Sequence, residues 1–380
     1  MNRVIIALML AIASLLVFGV VMMVSLDEHI EATGQAQSLV ATGQMRNQLV
    51  WIGIGLVLMW EVSRVDYRRW RQIATPFAGM VFMLLVMALI PGMGPTFRGA
   101  RRWLYLGPWG AFQPSHLAGF ALVLLMAWWY WDGKERPGYF FWIPLSVILF
   151  WSGLVFYGRD FTTALLLLLT GGVMMILGGE RVHYLLLYIF WVASGLAWLI
   201  LRNPLRISRI IAMSMEPPEP VSLPLYTLAL ASGGWSGVGL GKGHYVGCIL
   251  PEAGSEFMAG FIGEELGMIG LLTVNVLYAV IAACGLYIGA KAPDRFGTLL
   301  AFGIASLTVM PVLLTLLSLT SLICIRFPLL PFVSGGGLHL FMSLIGVGVL
   351  LNIARTKGGE DCHKTGRPAD AGDAQTQSIS

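Results

Sequence analysis

Apolar residues occur along this chain in long runs that contain no charged side chain. A helix that crosses the hydrocarbon core of a bilayer needs about 20 mostly apolar residues. Runs near that length are Val4–Leu26, Gln72–Phe97, Pro137–Gly158, Phe161–Gly179, Val182–Leu201 and Leu266–Ala290. The pattern predicts an all-α, polytopic membrane protein.

Four further segments need interpretation before they can be counted as spans. Phe296–Ile325 and Phe327–Ala354 each leave room for a helix and an uncharged loop. In Trp103–Trp131, breaker and helix-start residues precede the apolar part. Asn47–Trp60 is short and is the weakest of the predicted spans. The prediction is about ten transmembrane helices, with a large outer loop, about residues 202–256, between spans 7 and 8.

Composition supports this class and excludes others. Hydrophobic residues make up 57% of the 380 residues and charged residues 12%, with a mean hydropathy of +0.77. The net charge of +4 is too balanced to suggest a nucleic-acid partner. The four cysteines have no CxxC spacing, so neither a zinc site nor a disulfide framework is indicated.

The distribution of basic residues predicts the orientation. Short inner loops of membrane proteins carry an excess of Lys and Arg, and ten spans with a cytoplasmic start put both termini inside. Residues 1–357 then form a single transmembrane domain in the bacterial cytoplasmic membrane, and residues 358–380 are predicted to be a disordered cytoplasmic tail.

Basic residues on the outer side are exceptions to this bias. Singly, each could be a solvated or snorkelling side chain. Together they suggest an anionic ligand on that side; they are Arg46, Arg98, Arg101, Arg102, Arg159, Arg202, Arg206, Arg209, Lys242 and Arg326.

Carboxylates are scarce, which makes their positions informative. Asp160 lies in a hairpin turn between two spans, where it could cap the next helix. Glu252 and Glu256 are four residues apart where the outer loop returns to the membrane. Glu264 and Glu265 lie in an apolar run, which indicates a functional or packing role inside the bundle. An outer cleft with cations and carboxylates suits a lipid-linked pyrophosphate.

The outer loop contains two further features. Val221–Ala231 is apolar but too short to span, and we expect an interfacial or re-entrant helix. A glycine-rich segment follows, from Ser232 to Gly243. It is either a flexible loop or a backbone that can approach a ligand closely.

Several motifs in the same order resemble the SEDS family of polytopic bacterial proteins, FtsW, RodA and SpoVE. The family's segments LPEAHTDF and IGEELG are similar to Leu250–Phe257 and Ile262–Gly267, and its LPFISYGG is similar to Leu330–Gly337. Gly99–Trp103 and Phe112–Ser115 are similar to its GARRW and FQPSE segments, and Phe161–Leu165 after Asp160 is similar to its PDFGTAL segment. Ser232–Gly234 with Gly237–Gly241 is similar to its SGGWFGVGLG segment, and Asp66–Arg69 matches its first inner loop.

The resemblance implies an inverting peptidoglycan glycosyltransferase that polymerises lipid II into glycan strands on the outer face of the membrane, in cell division or cell-shape maintenance. It implies a class B penicillin-binding transpeptidase and other division or elongation proteins as partners. The residues of these motifs slightly favour the FtsW branch. The family's catalytic aspartate falls on Glu256, and its arginines fall on Arg101 and Arg102. Other candidates for substrate binding are Asp160, Glu252, Gln113, Ser115, Arg46 and Lys242.

The chain also departs from the family pattern. Glu256 has one methylene more than Asp, and a misplacement of about 1 Å can lower a rate on the order of a hundredfold. The family's Glu and Lys after QPS are His116 and Gly119, and its Pro before Asp160 is Arg159. We expect His116 to be a satisfied helix histidine.

Two alternatives to the enzyme stay open. A transporter of lipid-linked precursors would depend on intramembrane polar groups such as Glu264, Glu265 and His339 more than on Glu256. A non-catalytic scaffold for a transpeptidase would tolerate Glu256→Ala. Outer carboxylates could hold Mg²⁺ or Mn²⁺ beside a pyrophosphate, although the sequence contains no dedicated metal motif.

Overall fold

The computed structural model describes residues 1–32, 44–95, 101–105, 111–133, 138–201, 225–243, 257–319 and 328–365. Most of them are helical. The helices, numbered here in chain order, are α1 (Asn2–Ala32), α2 (Gln44–Arg64), α3 (Trp70–Leu89), α4 (Ser115–Tyr130), α5 (Trp142–Tyr157), α6 (Phe161–Gly178), α7 (Val182–Leu201), α8 (Leu225–Gly233), α9 (Met258–Glu265), α10 (Gly267–Ala290), α11 (Arg295–Leu319) and α12 (Gly337–Thr365).

The long helices confirm the polytopic all-α fold. By length and composition, six of the helices in the described residues can cross a membrane: α1, α3, α6, α10, α11 and α12. The apolar helices α4 and α5 have 16 residues each and α7 has 20, and α2, with 21 residues, covers the predicted span Asn47–Trp60. These ten helices correspond to the ten predicted spans. The last helix continues to Thr365, so the first part of the predicted tail is helical.

Small residues let the helices approach closely, as is usual where lipid leaves little hydrophobic drive between helices. On α2, a side chain at Gly55 would start 2.4 Å from Leu344 of α12. On α12, a side chain at Gly348 would start 2.7 Å from the Met59 carbonyl oxygen of α2. The pair α2 and α12 therefore packs along matching small positions.

Several polar side chains inside the bundle are hydrogen-bonded, as an apolar surrounding favours. At one end, Tyr67, in a 3₁₀ turn (Tyr67–Arg69), donates its hydroxyl to Asp294. The Tyr67 N–H donates to Asn352 Oδ1 at 2.8 Å, and Asn352 Nδ2 donates to the Ser63 carbonyl at 3.0 Å. These bonds join the ends of α2 and α12 to the segment that begins α11.

Candidate functional site

The α5–α6 turn places Asp160 in a buried hydrogen-bond cluster with Gln113 and Ser115. Asp160 Oδ2 accepts from Gln113 Nε2 at 2.6 Å and from Ser115 Oγ at 3.0 Å. Gln113 Nε2 also donates to Ser115 Oγ at 2.8 Å. All three side chains are at most 5% exposed. Residues 45 or more positions apart in sequence are thus brought together.

Asp160 also has the capping role that its position predicts. Its Oδ1 accepts from the Thr163 N–H at 3.2 Å, at the start of α6. A carboxylate at this position satisfies one of the free N–H groups of the first turn and lies at the positive end of the helix dipole. The Asp160 carboxylate therefore caps α6 and also binds the segment that begins α4.

The turn before Asp160 uses a left-handed backbone. Arg159 has φ 66°, and its N–H donates to the Phe156 carbonyl at 2.8 Å. Proline at this position would need φ near −65° and would lose the N–H. The replacement of the family's proline by Arg159 therefore agrees with the local backbone.

Arg101 and Arg102 lie beside this cluster, at the start of a short antiparallel pair. In that pair Leu104 is opposite Phe112 and Tyr105 is opposite Ala111, so the strand that begins after Arg102 is joined to the one that precedes Gln113. A side chain at Gly158 would start 3.1 Å from the Arg101 carbonyl oxygen. Glycine at this position therefore lets the arginine segment approach the turn closely.

A small cavity of about 20 Å³ opens between these elements. Two arginines and one aspartate are among its lining residues, together with apolar residues of α3 and α5. The cavity has room for about one water molecule, and it marks where two basic side chains and a carboxylate meet apolar surface. The lining residues are Leu85, Ala88, Leu89, Arg101, Arg102, Pro114, Ser115, Leu154, Val155, Gly158 and Asp160.

A second buried carboxylate, Glu265, ties the glycine-rich segment to the bundle. Ser25 Oγ donates to Glu265 Oε1 at 2.8 Å and lies 2.7 Å from Oε2. The Gly241 N–H donates to Glu265 Oε1 at 2.8 Å. Glu264 and Glu265 are at most 1% exposed, and the contacts of Glu265 give it the packing role that was one of the two expectations for this pair.

The glycine-rich segment approaches protein backbone closely. The Val238 and Gly239 N–H groups donate to the carbonyls of Glu264 and Glu265, each at 3.0 Å. Gly237 has φ 78°, and a side chain there would start 2.0 Å from the Glu265 carbonyl oxygen. These glycines therefore permit a tight contact between α8 and α9.

The other predicted residues lie apart from the cavity or outside the described residues. Arg46 is exposed in the first turn of α2, and Lys242 is exposed in the turn after Gly241; neither lines the cavity. Glu252 and Glu256 lie outside the described residues. Phe257, which follows Glu256 directly in sequence, is the N-cap residue of α9.

His116 has a partner that sequence reasoning did not identify. Its ring packs edge to face on His339 of α12, with centroids 5.5 Å apart. Three residues along α4, a side chain at Gly119 would start 2.9 Å from Leu307 of α11. No sequence pattern indicates His339 or Leu307 as a partner, because these contacts join helices that are far apart in the chain.

A divalent cation finds no ready donor set in the described part of the chain. No group of three His, Cys, Asp or Glu side chains that could hold an ion occurs there. The Asp160 carboxylate already accepts from Gln113, Ser115 and Thr163.

Comparison with known sequences gives matches along almost the whole chain. The profile of the cell cycle protein family FtsW/RodA/SpoVE matches residues 6–358. A probable peptidoglycan glycosyltransferase FtsW of a Geobacter species is 32% identical over 93% of this chain and 97% of that protein. Stage V sporulation protein E of Bacillus subtilis is 32% identical over 82% of this chain and 86% of that protein.

Solved structures share the fold. A chain of a peptidoglycan synthase complex that coordinates polymerization and crosslinking superposes with a TM-score of 0.73, at 22% identity over 92% of this chain and 97% of that chain. The rod shape determining protein RodA of Thermus thermophilus superposes with a TM-score of 0.65, at 24% identity over 92% and 96%.

Proposed function

Because the chain belongs to the FtsW/RodA/SpoVE family of cell cycle proteins, we propose that it is a peptidoglycan glycosyltransferase. It polymerises lipid II into glycan strands, in cell division or in cell-shape maintenance. The observation that carries the proposal is the 32% identity over 93% of the chain with a protein named as such an enzyme.

The geometry around Asp160 supports a lipid-linked pyrophosphate donor. Arg101 and Arg102 line the same cavity as Asp160, next to apolar side chains of two helices. Guanidinium groups bind phosphate oxygens through paired hydrogen bonds, and the apolar side chains suit the lipid. In this proposal Asp160, Gln113 and Ser115 fix the shape of the donor site, while Arg46 and Lys242 attract the anionic substrate from further out.

Glu256 is the general base in the proposed reaction. Its carboxylate takes the proton of the acceptor sugar hydroxyl, and the hydroxyl oxygen forms a bond to the anomeric carbon of the donor. The bond to the pyrophosphate oxygen breaks, and undecaprenyl pyrophosphate leaves with the bonding electrons. Attack opposite the leaving group inverts the anomeric centre. Glu252, four residues before the base, is proposed to bind the substrate, and Mg²⁺ or Mn²⁺ could neutralise the pyrophosphate there.

We further propose that the protein lies in the bacterial cytoplasmic membrane with both termini inside and works with a class B penicillin-binding transpeptidase. The exposed Arg64, Arg68, Arg69 and Arg71 lie near one another in sequence, at the end of α2 and the start of α3, as expected for a cytoplasmic end. A similar solved chain is part of a complex that coordinates polymerization and crosslinking, which supports such a partner.

The test is glycan-chain formation from lipid II by the purified protein with its cognate transpeptidase. Glu256→Gln is expected to lower the rate of polymerisation about 10²- to 10⁴-fold, the usual contribution of a general base. Glu256→Asp is expected to continue to form polymer. Glu28→Gln, at an exposed carboxylate of α1, is the matched control. If no variant forms polymer while the complex still assembles, the scaffold explanation replaces the enzymatic one.

A further inference from the structure

Two arginines from different helices lie against one tryptophan ring. The Cζ atom of Arg64, at the end of α2, is 4.8 Å from the centroid of Trp60. The Cζ atom of Arg355, on α12, is 5.7 Å from the same centroid. We call Trp60, Ser63, Arg64 and Arg355 the α2–α12 arginine site.

Among the side chains that the structure describes, carboxylates do little to neutralise these two cations. Arg355 forms no ion pair with any of those side chains; its Nη1 donates to the neutral Ser63 hydroxyl at 3.2 Å. Arg64 has one carboxylate nearby, Glu61, at 4.0 Å, and both of these side chains are more than half exposed. Such an exposed, long ion pair contributes little. Two like charges therefore lie against one ring, and both side chains are exposed, so an external anion can reach them.

The site is distant from the cavity beside Asp160. It lies where α2 ends, whereas α3 then runs 20 residues to Leu89, which lines that cavity. A helix of that length spans about 30 Å. The α2–α12 arginine site is therefore at the opposite end of the bundle, with Arg68 and Arg69 nearby in sequence.

We propose that the α2–α12 arginine site binds the phosphodiester headgroup of an anionic phospholipid. The guanidinium forks suit phosphate oxygens. Trp60 is 50% exposed, and tryptophan is enriched at the headgroup level of membrane proteins. One turn earlier on α2, Val57 is 64% exposed and offers an apolar surface to acyl chains. This continuity with lipid-facing surface favours a lipid over a soluble phosphate.

The test measures lipid retention by the full-length purified protein. The protein is equilibrated in mixed micelles that contain equal amounts of dioleoyl phosphatidylglycerol and dioleoyl phosphatidylcholine, and retained lipids are counted by native mass spectrometry. Wild type is expected to retain phosphatidylglycerol preferentially. Arg64→Gln with Arg355→Gln is expected to lower that preference about tenfold, as expected for two cations at an anionic headgroup.

The control removes the same charge elsewhere at this end. Arg69→Gln with Lys291→Gln takes two exposed cations that do not contact Trp60, and we expect it to keep the preference. Arg64→Lys with Arg355→Lys keeps both charges but loses the planar guanidinium groups, so we expect a preference between those of wild type and the Gln double variant. This variant provides the test if the neutral variant folds poorly.

Three results with these variants would overturn the proposal. These are an unchanged preference in the Gln double variant, an equal loss in the control, and retention in the Lys double variant equal to wild type. Glycerophosphoglycerol, the deacylated phosphodiester of phosphatidylglycerol, is added as the soluble headgroup, and displacement of the lipid at equimolar concentration would assign the site to a free anion. None of these readouts requires glycan polymerisation, so the result is independent of the proposed function.

Discussion

The imidazole rings of His116 and His339 meet edge to face, with centroids 5.5 Å apart and planes at 70°. One ring comes from the first turn of α4 and the other from the first turn of α12. The family resemblance puts a glutamate at 116 and a lysine at 119. In this chain residue 116 is a histidine that contacts His339 of α12. Residue 119 is a glycine, and Leu307 of α11 fills the space where a side chain would begin.

The first prediction concerns the coupling between these two histidines. His116→Ala and His339→Ala each remove the same contact, so the double variant is expected to lose less stability than the sum of the singles. A coupling energy of about 0.5–1.5 kcal/mol is expected for a ring pair of this geometry. Thermal unfolding in nanodiscs measures it.

His183→Ala, on the exposed side of α7, is the control and is expected to combine additively with His116→Ala. Additive losses for His116 and His339 would contradict the coupling. Gly119→Lys is expected to destabilise the protein by about 1–3 kcal/mol through overpacking against Leu307, even when His116→Glu is present.

The second prediction separates the two roles of Asp160. Asp160→Ala removes the cap of α6 and also leaves the buried Gln113 and Ser115 donors without their carboxylate. A lost cap costs about 1 kcal/mol. Gln113 Nε2 still donates to Ser115 Oγ, so the Ser115 hydroxyl is the one donor left unsatisfied, at a cost of about 1–3 kcal/mol. We therefore expect a loss of about 2–4 kcal/mol in the free energy of unfolding, together with loss of glycan polymerisation.

Asp66 provides the matched control for this variant. Asp66 Oδ1 accepts from the Arg68 N–H at 2.9 Å in an exposed cap without buried partners. Asp66→Ala is therefore expected to cost only about 1 kcal/mol. Equal losses for the two variants would mean that the buried cluster does not stabilise the fold.

Local features were the ones that the sequence predicted well. The spans follow from the lengths of charge-free runs, because the bilayer requires about 20 apolar residues whatever the neighbours are. The capping by Asp160 also depends only on the next turn of helix.

Contacts between distant segments could not be predicted in the same way. Ser25 and Glu265 are 240 positions apart, and nothing near either residue in sequence indicates the other. For the glycine-rich segment, the sequence allowed either a close contact with a ligand or a flexible loop. In the structure, the described glycines of this segment instead approach the backbone of α9. That contact depends on how α8 and α9 pack, which no local pattern encodes.

The third prediction concerns the hydroxyl of Ser25. Ser25→Ala removes a donor to the buried Glu265 carboxylate, and a hydrogen bond to such a group contributes about 1.5–3 kcal/mol. Ser14→Ala, at an exposed position of the same helix, is expected to change the free energy of unfolding by less than about 0.5 kcal/mol. Chemical unfolding of both variants tests the difference, and similar values would show that the Ser25 contact is not stabilising.

The fourth prediction compares two glycines of one segment that share a left-handed backbone but differ in their surroundings. Gly237 has φ 78° and lies against the Glu265 carbonyl, whereas Gly234 has φ 54° and nothing within 4 Å of an added side chain. Gly234→Ala is expected to cost about 1–2 kcal/mol from backbone strain alone. Gly237→Ala carries the same strain and a clash with fixed backbone, so we expect a loss at least about 1–3 kcal/mol larger.

Because α9 follows directly after Glu256 and Phe257, Gly237→Ala is also expected to lower polymerisation, measured on lipid II at a temperature where both variants are folded. Equal losses of stability and activity would mean that the contact between the glycine-rich segment and α9 does not hold the proposed base in position.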